Sequence, residues 1–120
     1  MLRRLFGGAS GGSQNSADAR VLSQLSRVGS NLAREHQVEN FLYMPDEASA
    51  RAGAARLEGA GYRVKIEESA QPAPGARWLV LSYRWVIPTP AAIAEIRAKQ
   101  EGLAQEFGGD YDGWGAEVVR

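Results

Sequence analysis

Apolar residues recur at Val21, Leu22, Leu25 and Val28, three and four apart, which predicts a helix over Ala17 to Val28. Gly29 is placed to stop it, and Ser16 or Asp18 to cap its start. The period then changes. From Glu35 to Met44, Val38, Leu42 and Met44 share one parity and Phe41 and Tyr43 the other. Both faces are apolar, as in an interior strand. Asp46 is a good N-cap, Glu47 suits the positive end of a helix dipole, and the alanine-rich run to Ala60 favours helix. Ala50, Gly53, Ala54 and Leu57 share one face, small enough to let that helix lie close to a sheet. Gly61 ends it.

Tyr62, Val64 and Ile66 alternate with Arg63, Lys65 and Glu67, a half-exposed strand. The stretch SAQPAPGA reads as a loop. Arg77 to Ile87, RWLVLSYRWVI, is the strongest strand pattern in the chain and is expected near the sheet centre. Thr89 and Pro90 open a last helix with a capping hydroxyl and a proline at its first position. Ile93, Ile96, Gln100, Leu103, Ala104 and Phe107 give it one face, and Gly108 stops it. Tyr111 to Val119 is the final strand. The order after the first helix is βαββαβ. This predicts an α+β, ferredoxin-like fold: one antiparallel sheet with two helices on one face, plus an N-terminal helix.

Composition narrows the picture. The chain has 120 residues, enough for one domain, and its hydrophobic fraction of 44% is that of an ordinary globular protein. Residues 1–16 carry glycine and serine and read as a flexible leader, with the folded domain over 17–120. Arg3 and Arg4 begin like a targeting signal, but only Leu5 and Phe6 precede the first glycine pair. No run is long and apolar enough to cross a bilayer, so no membrane partner is expected. Fourteen basic residues balance fourteen acidic ones, and no global field draws in nucleic acid. Cysteine is absent, which excludes disulfides, thiolate metal sites and thiol nucleophiles and suits the cytoplasm.

Catalytic chemistry finds little footing. His36 is the sole histidine and reads as solvated or structurally bonded. No nucleophile elbow, phosphate loop or dinucleotide fingerprint occurs. Asp110, Asp112 and Gly113 fail as a calcium loop, because the matching first and twelfth positions would be Gly108 and Val119. The expectation is a non-enzyme without cofactor or metal. Trp78, Tyr83 and Trp85 among arginines raise base stacking on an open sheet face. Alternation divides them: Trp78 goes with Arg84, whereas Tyr83 and Trp85 go with Arg77. The Gly-aromatic signature of an RNA recognition motif is missing. Direct nucleic-acid binding is therefore not expected. An RNA-binding or small-molecule-sensing module using that face stands as the alternative function.

The densest signal is FGGDYDGWGAEVV, Phe107 to Val119. Gly108 or Gly109 suits the positive φ of a helix end. Asp110 suits bonds to turn amides. Gly113 and Gly115 inside a strand point to a bulge or a close backbone approach. Trp114 reads as a buried anchor whose indole N–H needs a partner, Asp110 or Asp112. On this reading the glycines and Trp114 hold a corner, and the aspartates carry any function, Asp112 being the exposed one.

GDYDGWG after a helix ending in LAQEF resembles the terminal signature of the type B regulators of ribonuclease E activity. HQVENFLYMPDE before a helix and RLEGAGYRV at a helix-to-strand junction agree in order, and the resemblance spans about residues 17–119. It implies a ferredoxin-like, non-enzymatic bacterial protein that binds ribonuclease E and lowers its activity, altering RNA turnover. The signature falls on Asp110, Tyr111, Asp112, Gly113 and Trp114, the partner-binding candidates. Members of that family are strongly acidic. An acidic inhibitor could exploit the basic RNA-binding parts of the nuclease, but this neutral chain cannot do so by net charge.

Overall fold

A computed structural model describes residues 4–7, 14–73 and 76–120 of the chain. Its elements run β1 (Arg4–Gly7), α1 (Gln14–Arg27), β2 (His36–Met44), α2 (Glu47–Gly59), β3 (Arg63–Ala73), β4 (Ala76–Val86), α3 (Pro90–Phe107) and β5 (Asp110–Glu117). The strands form one sheet in the order β1-β5-β2-β4-β3, and every pairing is antiparallel. The protein is thus a mixed α/β fold of three helices on an antiparallel sheet.

The helix ends are set by the residues that local chemistry picks out. The Asp46 carboxylate accepts from the Ser49 amide at 2.8 Å and caps α2. Thr89 Oγ1 accepts from the Ala92 amide at 3.0 Å, with Pro90 just inside α3. Gly108 closes α3 at φ 71°. The Ser30 amide, after Gly29, reaches back to the Leu25 carbonyl at the end of α1. Ala50, Gly53, Ala54 and Leu57 are all buried on α2, as their spacing predicts. A Cβ at Gly53 would stand 3.0 Å from Met44 Cε, so α2 does lie close on β2.

One sheet face is the core. Val38, Leu42 and Met44 of β2 and Val80 of β4 meet Leu25 of α1, Leu57 of α2, and Ile93, Ile96 and Leu103 of α3. Trp78 packs against this cluster, as alternation along β4 requires. Tyr83 and Trp85 lie on the opposite face. Trp85 is 57% exposed.

Three expectations need correction. The SAQPAPGA stretch is not simply a loop: β3 extends to Ala73 and β4 begins at Ala76, with Ala73 opposite Ala76. The pairing breaks register after Glu68 and resumes at Ala73, and an irregular stretch of an edge strand is where Pro72 is tolerated. Pro74 and Gly75 lie outside the described residues. Within the segment read as a leader, Arg4–Gly7 pairs with β5 in register Phe6 to Gly115. That pairing satisfies backbone groups β5 would otherwise present at an open edge. Finally, α1 begins at Gln14, so Ser16 and Asp18 both sit inside the helix and neither is its cap.

Candidate functional site at the β5 corner

The corner begins where α3 ends. The Gly109 amide donates to the Ala104 carbonyl at 2.7 Å. A Cβ at Gly109 would run into the Tyr43 carbonyl oxygen, so this position needs glycine for a close backbone approach. β5 then pairs with β2, but not regularly. Asn40 is opposite Trp114, while Leu42 is opposite Tyr111. Two steps along β2 match three along β5, which defines a β-bulge at Asp112 and Gly113. Gly113 has φ 107°, a region that L side chains rarely adopt.

The bulge explains why Tyr111 and Trp114, three residues apart on a strand, both point into the core. Each is buried, at 5% and 1% exposure. Tyr111 donates its hydroxyl to Asn40 Oδ1 at 2.9 Å. Asn40 Nδ2 reaches the Ser82 carbonyl at 3.4 Å, and Gln100 Nε2 donates to Ser82 Oγ at 2.9 Å. Trp114 Nε1 donates to Asp18 Oδ1 at 3.0 Å. The indole therefore does not use Asp110 or Asp112, as expected, but a helix residue from the start of the fold. Once the bulge turns the ring inward, both aspartates are on the other side of the strand.

Asp18 is also held by Arg97 of α3, through Nε at 3.1 and 3.0 Å and one terminal nitrogen at 2.6 Å. Arg97 reaches Glu101 at 3.3 Å and lies over the Tyr111 ring, 5.2 Å from its centroid. Burial pulls the Arg97 guanidinium down, but the bonds to Asp18 outweigh it and the net shift is upward. Burial pushes the Tyr111 phenol far above its ordinary value, against the pull of Arg97. An ion pair so enclosed is costly to assemble and costly to break singly. It joins α1, α3 and β5 into one unit.

Asp110 and Asp112 face outward. Partial burial, and then the neighbouring Asp110 carboxylate, raise the Asp112 carboxyl above its ordinary value. Burial first and Asp112 second raise the phenol of Tyr43, beside them on β2. Of the five residues of the motif, then, Tyr111, Gly113 and Trp114 are inside and Asp110 and Asp112 are presented to solvent. Asp18, Arg97, Asn40 and Gln100 complete the corner and were missed as its partners.

The arrangement nearest to a nucleophile and base is Ser30 with His36, whose Oγ and Nε2 are 2.6 Å apart. His36 is fully buried and its Nδ1 donates to the Arg34 carbonyl at 2.9 Å. Ser30 Oγ in turn accepts from the Val119 amide at 2.9 Å. The pair ties the C-terminal segment to the α1–β2 connection, which makes His36 the structurally bonded histidine that the sequence allowed. Among the described residues no helix is long and apolar enough to cross a membrane.

Fold and corner together describe a small α/β protein that presents a carboxylate pair from a rigid, hydrogen-bonded strand. The chain belongs to the family described as regulator of ribonuclease activity B, whose profile matches residues 15–116. That is a family of regulators of ribonuclease activity and not a catalytic one. No curated protein matches the sequence at a significant level.

Proposed function

We propose that this chain binds ribonuclease E and lowers its activity, so that it adjusts RNA turnover in the cytoplasm without chemistry of its own. The reading rests on the family and on one observation: the bulge at Asp112 and Gly113 buries the aromatic residues of the motif and leaves Asp110 and Asp112 outward. Partial burial, and then the like charge of Asp110, disfavour the ionised Asp112 carboxylate in the free protein. A basic group arriving from a partner relieves that repulsion, so binding gains where the free protein is penalised. Tyr111, Gly113 and Trp114 serve by holding this geometry. A local acidic pair also resolves the charge problem, since a neutral chain needs no global field to meet a basic surface. The unit from β2 to β5, with order β5-β2-β4-β3, supports the ferredoxin-like description, with β1 and α1 as additions to it.

The test is RNA cleavage by purified ribonuclease E with increasing amounts of this protein. Cleavage should slow saturably, and an Asp110→Asn, Asp112→Asn double variant should slow it far less at equal concentration. Inhibition by the double variant equal to that of the parent would remove the acidic pair from the account.

A further inference from the structure

The open face of the sheet carries a second feature, remote from the acidic pair. Tyr43 faces Asp110 at one end of β2, and Gln37 faces Trp85 at the other. They are six positions apart, roughly 20 Å of strand. At this second end Tyr83 and Trp85 stand two residues apart on β4 and so share a face, with a rise of about 7 Å between them. Arg63 of β3 is directly opposite Tyr83, and Lys65 is opposite Leu81 in the next row. Gln37, Arg63, Lys65 and Tyr83, with Val64, line a depression of ≈ 320 Å³.

Trp85 stands out on this face. It is the most exposed large hydrophobic residue among those described, and covering it would remove apolar surface from water. Lys65 is paired with Glu67 at 3.1 Å, but both ends of that pair are solvent-exposed and exchange readily with another anion. Glu39, the carboxylate across from Tyr83, is 7% exposed and withdrawn from the surface. Alternation along β4 puts the two aromatics on one face, and the strand register adds two cations from β3 beside them and an amide from β2 at the rim.

We infer that this depression is a binding site for single-stranded RNA. Bases stack on Trp85 and Tyr83, Arg63 and Lys65 meet the phosphates, and the Gln37 amide meets a base edge. Stacking is indifferent to sequence, so the site holds a strand without reading it. Charge complementarity selects this occupant: a polyanion with flat apolar faces matches aromatic rings flanked by cations, whereas a basic peptide matches the opposite, acidic end of the face. The site is independent of the contact with ribonuclease E proposed above.

The experiment is fluorescence anisotropy of a labelled single-stranded oligonucleotide, on the order of a dozen nucleotides long, with the full chain at low salt. Saturable binding is expected. The logarithm of the binding constant should fall with the logarithm of salt concentration with a slope of about −1.4 for two phosphate contacts. Trp85→Ala should weaken binding about fivefold or more. Arg63→Gln should bring the slope to about −0.7. Both side chains lie on the solvent face, and unchanged circular dichroism and melting temperature would show that the variants fold. Asp112→Asn should leave RNA binding unchanged. No saturable binding at low salt, or binding indifferent to both Trp85→Ala and Arg63→Gln, would overturn the assignment. So would adenosine monophosphate binding as tightly as the oligonucleotide, because the site would then be a nucleotide pocket. If Trp85→Ala weakened the contact with ribonuclease E and RNA did not bind, the patch would be a protein interface instead.

Discussion

The indole of Trp114 donates to the carboxylate of Asp18 at 3.0 Å, across 96 positions of the chain. The bond closes the last strand of the sheet onto the first helix, through an acid already held by Arg97. Trp114→Ala removes both the ring from the core and the donor from Asp18. A loss of about 3–5 kcal/mol is expected in chemical denaturation. Trp114→Phe keeps most of the packing and should lose about 1–3 kcal/mol, the cost of leaving a buried charged acceptor short of a partner.

The Asp18–Arg97 pair makes a sharper test, because its two halves are coupled. Asp18→Ala alone leaves the Arg97 cation enclosed without its main partner and should cost about 3–5 kcal/mol. Asp18→Leu with Arg97→Met should recover a good part of that loss, since an apolar pair avoids the desolvation that the ions suffer. A double-mutant cycle by urea denaturation reads the coupling directly. Additive losses would contradict the enclosed pair.

Glycine positions separate strain from space. Gly113 has φ 107°, so Gly113→Val should destabilise by about 1–3 kcal/mol whatever room surrounds it. Gly102, inside α3, has no atom within 4 Å of where a Cβ would stand and no positive φ. Gly102→Ala should therefore stabilise by about 0.5–1 kcal/mol. Paired melting curves of the two variants, shifted in opposite directions, would support both readings.

The pH dependence of Asp112 has a definite sign. Its folded carboxyl titrates above the ordinary value of 3.8, so the native state holds that proton more tightly than the unfolded chain does. Its contribution to stability is then best at acid pH and is lost as pH rises through the folded value. Asp112→Asn should raise the melting temperature at neutral pH, and the gain should vanish below the ordinary carboxylate range. A lower melting temperature at neutral pH would mean that Asp112 has a stabilising partner.

Much of this fold was legible because local signals agreed with one another. Asp46, the small face Ala50–Gly53–Ala54–Leu57 and Gly61 delimit α2 almost to the residue. Gly113 and Gly115 pointed to a bulge or a close backbone approach, and the structure has the bulge, at Gly113. What the sequence hid was long-range. Nothing near Trp114 points to Asp18, and only the closed sheet brings them together. A partial signal did exist in α3, where Arg97 and Gln100 fall on the apolar stripe of Ile93, Ile96 and Leu103. A cation on a buried stripe requires an acid from another element, and Asp18 on the inner face of α1 supplies it. The pairing of Arg4–Gly7 was hidden for another reason: a short strand among glycines is created by its neighbour's open edge, not by its own pattern.

The central claim is that Asp110 and Asp112 are presented for a basic partner while the rest of the motif holds them in place. Calorimetric titration of ribonuclease E with the parent chain and with Asp112→Asn tests it most directly. The parent should bind, and Asp112→Asn should bind about tenfold more weakly or worse, with a melting temperature no lower than the parent's. Equal affinity of the two proteins, or no binding by the parent, would contradict the account.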